Sequence, residues 1–265
     1  MSNYAIYKPK GKAAEYSEWA CNFYVGCSNG CTYCYCKKGI LAGVMGQDKP
    51  QLKKCFKDET HALKVFEKEL LANLDELRKH GLFFSFTTDP MLKDAIALTV
   101  SAIDLCQKYN VPVKILTKCT QWVRFVSVHL DITRKNLMSF VFTLTGHDEL
   151  VPNASSNKDR IRAMKVLSDA GFKTWASIEP IIDFEDSYEM IYAVKDFCDL
   201  YKIGLQSGRK YDEFEPFDFV IDMIQFNAEF CKKIYFKDSL LKAAGINRAD
   251  LPSNCVDRSY NIFKS

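Results

Sequence analysis

The chain has 265 residues, 48% of them hydrophobic, with 36 Lys and Arg against 33 Asp and Glu and a formal charge of +3. That size buries one large core, so a single domain over residues 1–265 is expected, with its core at about 20–238 and a C-terminal extension at 239–265. The charge falls short of the basic stripe of a phosphate-binding domain, and no apolar run reaches the roughly 20 residues that cross a bilayer. The first ten residues lack a signal-peptide core, so the eleven cysteines are expected to be reduced in a cytoplasmic protein.

In chain order, residues 20–25 read as a first strand that runs into five cysteines within sixteen residues: Cys21, Cys27, Cys31, Cys34 and Cys36. Beyond them, short apolar or β-branched runs at 82–87, 113–117, 139–144, 174–178, 201–205 and 234–236 read as buried parallel strands. They alternate with stretches at 59–79, 92–109, 157–170, 187–198 and 216–231, where apolar residues recur at helical spacing. Asn157 or Asp159 is expected to cap the third of these helices, and Gly171 follows its end. Successive βα units predict an α/β fold, a partial parallel (β/α)6 barrel of TIM type, with functional residues just past the strand ends. Residues 240–265 read as a helix followed by irregular chain that either completes the barrel or covers its mouth.

The segment Gly26-Cys27-Ser28-Asn29-Gly30-Cys31-Thr32-Tyr33-Cys34-Tyr35-Cys36 has C-x3-C-x2-C spacing in a loop after a strand. Three thiolates can grip three irons of a 4Fe-4S cubane and leave the fourth open to an external ligand. Gly26 and Gly30 let the backbone turn tightly around such a cluster. A zinc site that adds Cys21 or Cys36 is the alternative, although zinc knuckles bring their ligands in two separated pairs. A redox dithiol needs only Cys31 and Cys34 and leaves Cys27 unexplained.

With these residues in place, the sequence resembles the radical S-adenosylmethionine superfamily, and in detail the branch around spore photoproduct lyase, a DNA-repair enzyme. The resemblance spans residues 20–183 and includes Ser85-Phe86-Thr87-Thr88-Asp89-Pro90, Ile115-Leu116-Thr117-Lys118, Phe142-Thr143-Leu144-Thr145, Asp159-Arg160-Ile161 and Ile178-Glu179-Pro180-Ile181. Residues 177–182, 204–208 and 236–238 also look like a phage-associated radical family. The resemblance implies that Cys27, Cys31 and Cys34 carry the cluster and that S-adenosylmethionine is the second cofactor. Thr88 and Asp89 would receive its amino group, Lys118 its carboxylate and Thr143 its ribose, assignments that suit the hydroxyls, carboxylate and ammonium involved. The electron would come from a flavodoxin or ferredoxin. Lyase or transferase chemistry, and a nucleic-acid base as substrate, rest on the family analogy alone.

One departure bears on the substrate. The resemblance puts a hydrogen-donating cysteine where this chain has Phe86, and phenylalanine has no thiol hydrogen. Cys36 and Cys119 are read as small core residues, and Tyr33 and Tyr35 as packing over the cluster. Glu179 should point into the barrel mouth, either toward cofactor or substrate or into an ion pair with Arg160, Arg162 or Arg209. Gln206, Ser207 and Arg209 form a second polar group. His61, His80, His129 and His147 show no ligand spacing. The rival from another class is a binding module with structural zinc or a regulatory cluster, which would have no use for Asp89, Lys118 and Thr143 at successive strand ends.

Overall fold

The structure, a computed structural model, describes residues 4–125, 132–212 and 214–264. His129 lies outside them. In chain order the elements are β1 (Ile6–Tyr7), β2 (Ala20–Cys21), β3 (Tyr24–Val25), α1 (Ala42–Met45), β4 (Gln51–Leu52), α2 (Glu59–Ala72), α3 (Leu74–His80) and β5 (Leu82–Phe84). There follow α4 (Ile96–Lys108), β6 (Val113–Thr117), β7 (Met138–Thr143), α5 (Asn157–Asp169), β8 (Lys173–Ile181), α6 (Phe184–Ala193), β9 (Leu200–Leu205), α7 (Glu215–Phe230), β10 (Lys233–Phe236) and α8 (Asp238–Ala244). Eight strands form one sheet in the order β1-β2-β5-β6-β7-β8-β9-β10, parallel throughout except for β1 against β2. Among the described residues β10 pairs with β9 and makes one further bridge to Cys255 in the tail but joins no other strand of the sheet, so the barrel is partial, as expected, with a seam between its first and last strands.

Alternation along the strands decides what each face does. Val113, Ile115, Phe140, Phe142, Ala176, Ile178, Tyr201, Ile203 and Phe236 point outward into a large core shared with the helices. The inward set is Ala20, Phe83, Val141, Trp175 and Leu200, which meet Tyr16 and Ile262 in a smaller apolar cluster inside the barrel. Continuing the inward series toward the strand C-termini gives Thr143, Ser177 and Glu179, and beyond β10 Lys237.

Several boundaries differ from expectation. The strand over 20–25 breaks after Cys21, because Asn22 turns its side chain to Tyr7 Oη (2.7 Å) and the Phe86 amide (2.9 Å). Tyr24–Val25 then pairs with Gln51–Leu52 in a separate two-stranded sheet. The helix over 59–79 is interrupted at Asn73, whose side chain bonds the Glu69 carbonyl at 2.8 Å. The cap of α5 is Ser156, which accepts the Asp159 amide, rather than Asn157 or Asp159. The helix expected over 187–198 starts earlier, because the Asp183 carboxylate caps α6 through the Glu185 and Asp186 amides.

The seam is filled from both termini. Lys202 Nζ donates to the carbonyls of Glu15 (2.6 Å) and Tyr16 (3.1 Å) and holds the N-terminal segment across the gap. The C-terminal tail docks at the other end of the barrel: the Val256 amide reaches the Ile234 carbonyl at 2.8 Å and Asn261 Nδ2 the Lys79 carbonyl at 2.9 Å. Ile234 and Lys79 lie at the N-terminal ends of β10 and β5, so the tail closes the floor, and a lid over the mouth does not describe it. Among the described residues no helix is long and apolar enough to cross a membrane.

Lys114 shows what this interior costs. It points into the barrel from β6, is 7% exposed, and donates to the His80 carbonyl (3.0 Å) and Ser17 Oγ (3.3 Å). Burial lowers its pKa to about 8 from 10.5. The unfolded chain therefore holds this proton where the folded chain has lost it, so the contribution to stability rises with pH between about 8 and about 10.5, by about 3 kcal/mol. In urea titrations across this window, the difference between wild type and Lys114→Met is expected to show that rise; a pH-independent difference would contradict the assignment.

Candidate functional site

A cavity of about 450 Å³ opens at the C-terminal ends of the strands. Cys27, Cys31, Cys34, Thr88, Asp89, Lys118, Thr143 and Glu179 all line it. Five separate stretches of chain thus converge here, as parallel strands that end on one side require.

The cysteine loop is built on close backbone approach. Gly26 has φ +81°, and a Cβ there would lie 2.4 Å from the Lys49 carbonyl oxygen. Its carbonyl accepts from Thr88 Oγ1 at 2.6 Å, which ties the loop to the segment after β5. The Cys27 amide donates to the Gln47 carbonyl at 2.9 Å. Burial pushes the Cys27 thiol up to about 11, whereas a hydrogen bond from Cys36 brings Cys34 down to about 6. No three cysteine sulfurs lie mutually within 4.8 Å; among the described residues that spacing is met only by Glu18, Glu76 and the predicted loner His80. Sulfurs around one zinc ion sit about 3.8 Å apart, given Zn–S bonds of about 2.3 Å.

Asp89 is the knot of the site. Its Oδ1 accepts from Thr117 Oγ1 (2.7 Å) and the Met91 amide (3.1 Å). Its Oδ2 accepts from Asn29 Nδ2 (2.9 Å) and the Lys118 amide (2.7 Å), with Cys119 Sγ at 3.6 Å. The carboxylate is therefore saturated by the protein, and Cys119 is committed to the same knot. Lys118 Nζ stands 5.9 Å from the centre of the Tyr33 ring and makes no hydrogen bond among the described residues. Burial acts against its charge, yet Tyr33, Cys31 and Asp89 raise its pKa above the usual lysine value. Thr143 is 2% exposed, and its carbonyl accepts from Arg160 Nη1 at 2.9 Å.

Glu179 does point into the mouth, but its ion-pair partner is none of the three arginines. Lys237 Nζ bonds both its oxygens, at 2.9 and 2.8 Å, and Tyr16 Oη donates to Oε2 at 2.7 Å. Tyr16 Oη also lies 2.5 Å from Ser177 Oγ. Burial, with the Glu179 charge beside it, raises the Tyr16 pKa, so the phenol stays a donor. Lys237 is 1% exposed and 3.6 Å from Glu15 Oε2. Arg160 instead serves Thr143, Arg162 meets Asp159 at 3.4 Å, and Arg209 lies over Tyr211. Gln206 and Ser207 line the cavity, where Lys12 Nζ donates to Ser207 Oγ at 2.9 Å; Arg209 stays outside. Phe86 lines the wall and stacks on Phe83, with centroids 4.5 Å apart. Its carbonyl accepts from Tyr35 Oη, and Cys36 Sγ lies 3.7 Å away. His147 is held between Glu149 (2.8 Å) and Asp186 (2.9 Å), and His61 sits beside the α2 cap.

Sequence reasoning missed Tyr16, Lys237 and Asn29 as parts of this site. Asn29 lies inside the cysteine motif, and Lys237 continues the inward alternation of β10 from Tyr235. Tyr16 carries no local signal, because only the seam brings it in. Replacing Lys237 by Met would strand two carboxylates, Glu15 and Glu179, in a buried site. A loss of about 3–5 kcal/mol in urea unfolding is expected, with part of it recovered in Lys237→Met/Glu179→Gln.

No family model matches the chain. It is 27% identical over 217 residues to an uncharacterized protein of Methanocaldococcus jannaschii, an overlap of 75% of each chain. Among solved structures, a spore photoproduct lyase variant with bound S-adenosylmethionine and dinucleoside spore photoproduct matches with a TM-score of 0.63 and 13% identity, over 83% of this chain and 76% of the other. SuiB of Streptococcus suis bound to S-adenosylmethionine matches with a TM-score of 0.56 and 14% identity, over 87% of this chain and 50% of the other. The chain therefore has the fold of spore photoproduct lyase and SuiB, the partial parallel barrel that its βα pattern predicts.

Proposed function

We propose that the chain is a radical S-adenosylmethionine enzyme whose Cys27, Cys31 and Cys34 hold a 4Fe-4S cluster. The observation that carries this reading is convergence: three cysteines of one loop share a cavity with Thr88, Asp89, Lys118 and Thr143, in a fold whose solved examples bind S-adenosylmethionine. The donor set fits the group. Soft thiolates suit iron and sulfide, and among the described residues no three cysteine sulfurs meet the mutual spacing of a single ion's ligands. The glycine turn at Gly26 supports the same fit by bringing the loop backbone close to its neighbours.

When bound, cluster and S-adenosylmethionine supply one-electron reductive cleavage to methionine and a 5′-deoxyadenosyl radical, which abstracts a hydrogen atom from a substrate carbon. The protein's residues bind, orient and exclude water. Lys118, a half-buried cation whose ammonium makes no hydrogen bond among the described residues, would meet the methionyl carboxylate. Asp89 and Thr88 serve the amino-group end by fixing Asn29, the Lys118 amide and Gly26. Thr143 offers its hydroxyl to the ribose. Glu179, held by Lys237 and Tyr16, presents a fixed polar edge to cofactor or substrate on the opposite wall. With Phe86 in the wall, photoproduct repair through a thiol at that position is no part of the reading, and the chemistry proposed is of the lyase or transferase kind. A flavodoxin or ferredoxin would supply the electron in a cytoplasmic setting.

After anaerobic reconstitution with iron and sulfide, dithionite and S-adenosylmethionine are expected to yield 5′-deoxyadenosine with wild type and none with Cys31→Ala. Lys118→Met should raise the half-saturating S-adenosylmethionine concentration by about 10- to 100-fold, the worth of one charge-assisted hydrogen bond. A colourless protein that binds zinc and leaves S-adenosylmethionine intact would overturn the proposal.

A further inference from the structure

Away from the cavity, the fold gathers three side chains that take no part in the site. Glu18 stands just before β2, and Glu76 and His80 sit one turn apart on α3, which leads into β5. They meet at the N-terminal ends of the strands, the opposite end of the barrel from the cysteine loop, and none of them lines the cavity. One ring nitrogen of His80 and one oxygen of each carboxylate lie within 4.8 Å of one another. His80 Nδ1 is 3.0 Å from Glu18 Oε1, and Nε2 is 3.8 Å from Glu76 Oε2.

An ordinary ion pair does not account for this group. In such a pair the ring N–H points at its carboxylate. Among the described residues the His80 ring makes no hydrogen bond to either glutamate, even at 3.0 Å, so the Glu18 oxygen stands beside the N–H line rather than on it. Two ligands of one ion are related in this way, each donor atom aimed at a shared centre and not at its neighbour. Charge points to the same conclusion. Among the described residues no cation other than His80 comes within 4.0 Å of either carboxylate, so two negative charges face at most one positive. Ligand atoms about 2.0–2.1 Å from a tetrahedral centre lie about 3.4 Å apart, between the 3.0 and 3.8 Å seen here. The glutamates are 47% and 49% exposed, which leaves them free to rotate into that spacing.

We propose that Glu18, Glu76 and His80 bind one zinc ion, which ties the entry of β2 to α3 at the floor of the barrel, with solvent completing its coordination. Imidazole nitrogen and carboxylate oxygen are ordinary zinc donors, and the imidazole selects zinc over calcium or magnesium, which take oxygen ligands. The backbone that carries the ring is fixed without the metal. The His80 carbonyl accepts from Lys114 Nζ at 3.0 Å, the Lys79 carbonyl from Asn261 Nδ2 at 2.9 Å, and the Gly81 amide closes α3 on the Leu77 carbonyl at 2.8 Å. An ion held by segments that only folding brings together adds its binding free energy to stability. The cysteine loop plays no part, so the inference stands independently of the function proposed above.

The test titrates zinc by calorimetry into the full chain with reduced thiols and Cys27→Ser/Cys31→Ser/Cys34→Ser, so that the loop cannot take the metal. The same chain then carries His80→Ala or Glu18→Gln/Glu76→Gln in addition. One zinc ion per chain is expected in the loop variant, and each added change should raise its Kd by about 100-fold or more, beyond the roughly 10- to 100-fold that loss of an outer partner costs. In the wild-type background the same changes should remove one zinc ion per chain from the total bound. Cobalt at the site should lack the intense near-ultraviolet absorption of thiolate coordination, and zinc should raise the urea midpoint of the loop variant but not after His80→Ala. Circular dichroism checks folding; the glutamine pair keeps the ring and the shape of the site, so it decides the matter should His80→Ala fail to fold. A loop variant that binds no zinc, zinc held equally after the glutamine pair, or a cobalt–thiolate band would overturn the proposal.

Discussion

A single buried carboxylate, that of Asp89, holds together the parts on which everything else in the mouth of the barrel depends. Burying a carboxylate is costly unless hydrogen bonds satisfy it, and here four donors within 3.1 Å do so. Those donors belong to three places: the cysteine loop through Asn29, the end of β6 through Thr117 and Lys118, and the segment after β5 through Met91. The position of the thiols relative to the Lys118 ammonium is thereby set by charge-assisted bonds, which are stronger and shorter than neutral ones. Asp89, which the resemblance implies as an amino-group contact, thus braces the cysteine loop against the segment after β5 and the end of β6.

The second organising constraint is the seam. A sheet that stops short of closure leaves its interior open along one side, and this chain fills the gap with polar chemistry near the mouth and apolar packing near the floor. Lys202 grips the backbone at Glu15 and Tyr16, and Lys237 joins Glu15 and Glu179 across the same gap. Gly204 is part of this arrangement, since a Cβ there would lie 2.7 Å from Lys237 Cδ. At the floor, Ile262 completes the apolar cluster formed by Trp175, Phe83 and their neighbours. The mouth is left free for ligand, with a cationic side at Lys118 and a paired, neutral wall at Glu179.

Much of this was legible from local pattern. The run 113–117 coincides with β6, and the other barrel strands are offset by a few residues, because buried parallel strands write themselves as short β-branched runs. The cysteine spacing, with Thr88, Asp89, Lys118 and Thr143 at later strand ends, led to one cavity because parallel strands present their ends together. What stayed hidden depends on contacts between distant segments. Asn22, a residue inside an apolar run, broke the first strand through partners at Tyr7 and Phe86. Lys237 and Tyr16 became site residues because an open seam let them reach Glu179, and no periodicity encodes a seam. The cap of α5 fell to Ser156, one residue before Asn157 and three before Asp159, a displacement that side-chain chemistry alone does not resolve among neighbouring Ser, Asn and Asp.

The account turns on three thiolates holding a four-iron cluster with one iron open to a ligand. Mössbauer spectroscopy of protein reconstituted with iron-57, recorded with and without S-adenosylmethionine, addresses that most directly. The account predicts about four irons per chain, of which about a quarter change their signal when S-adenosylmethionine is added. Iron that fails to bind, or four irons that all remain indifferent to S-adenosylmethionine, would contradict it.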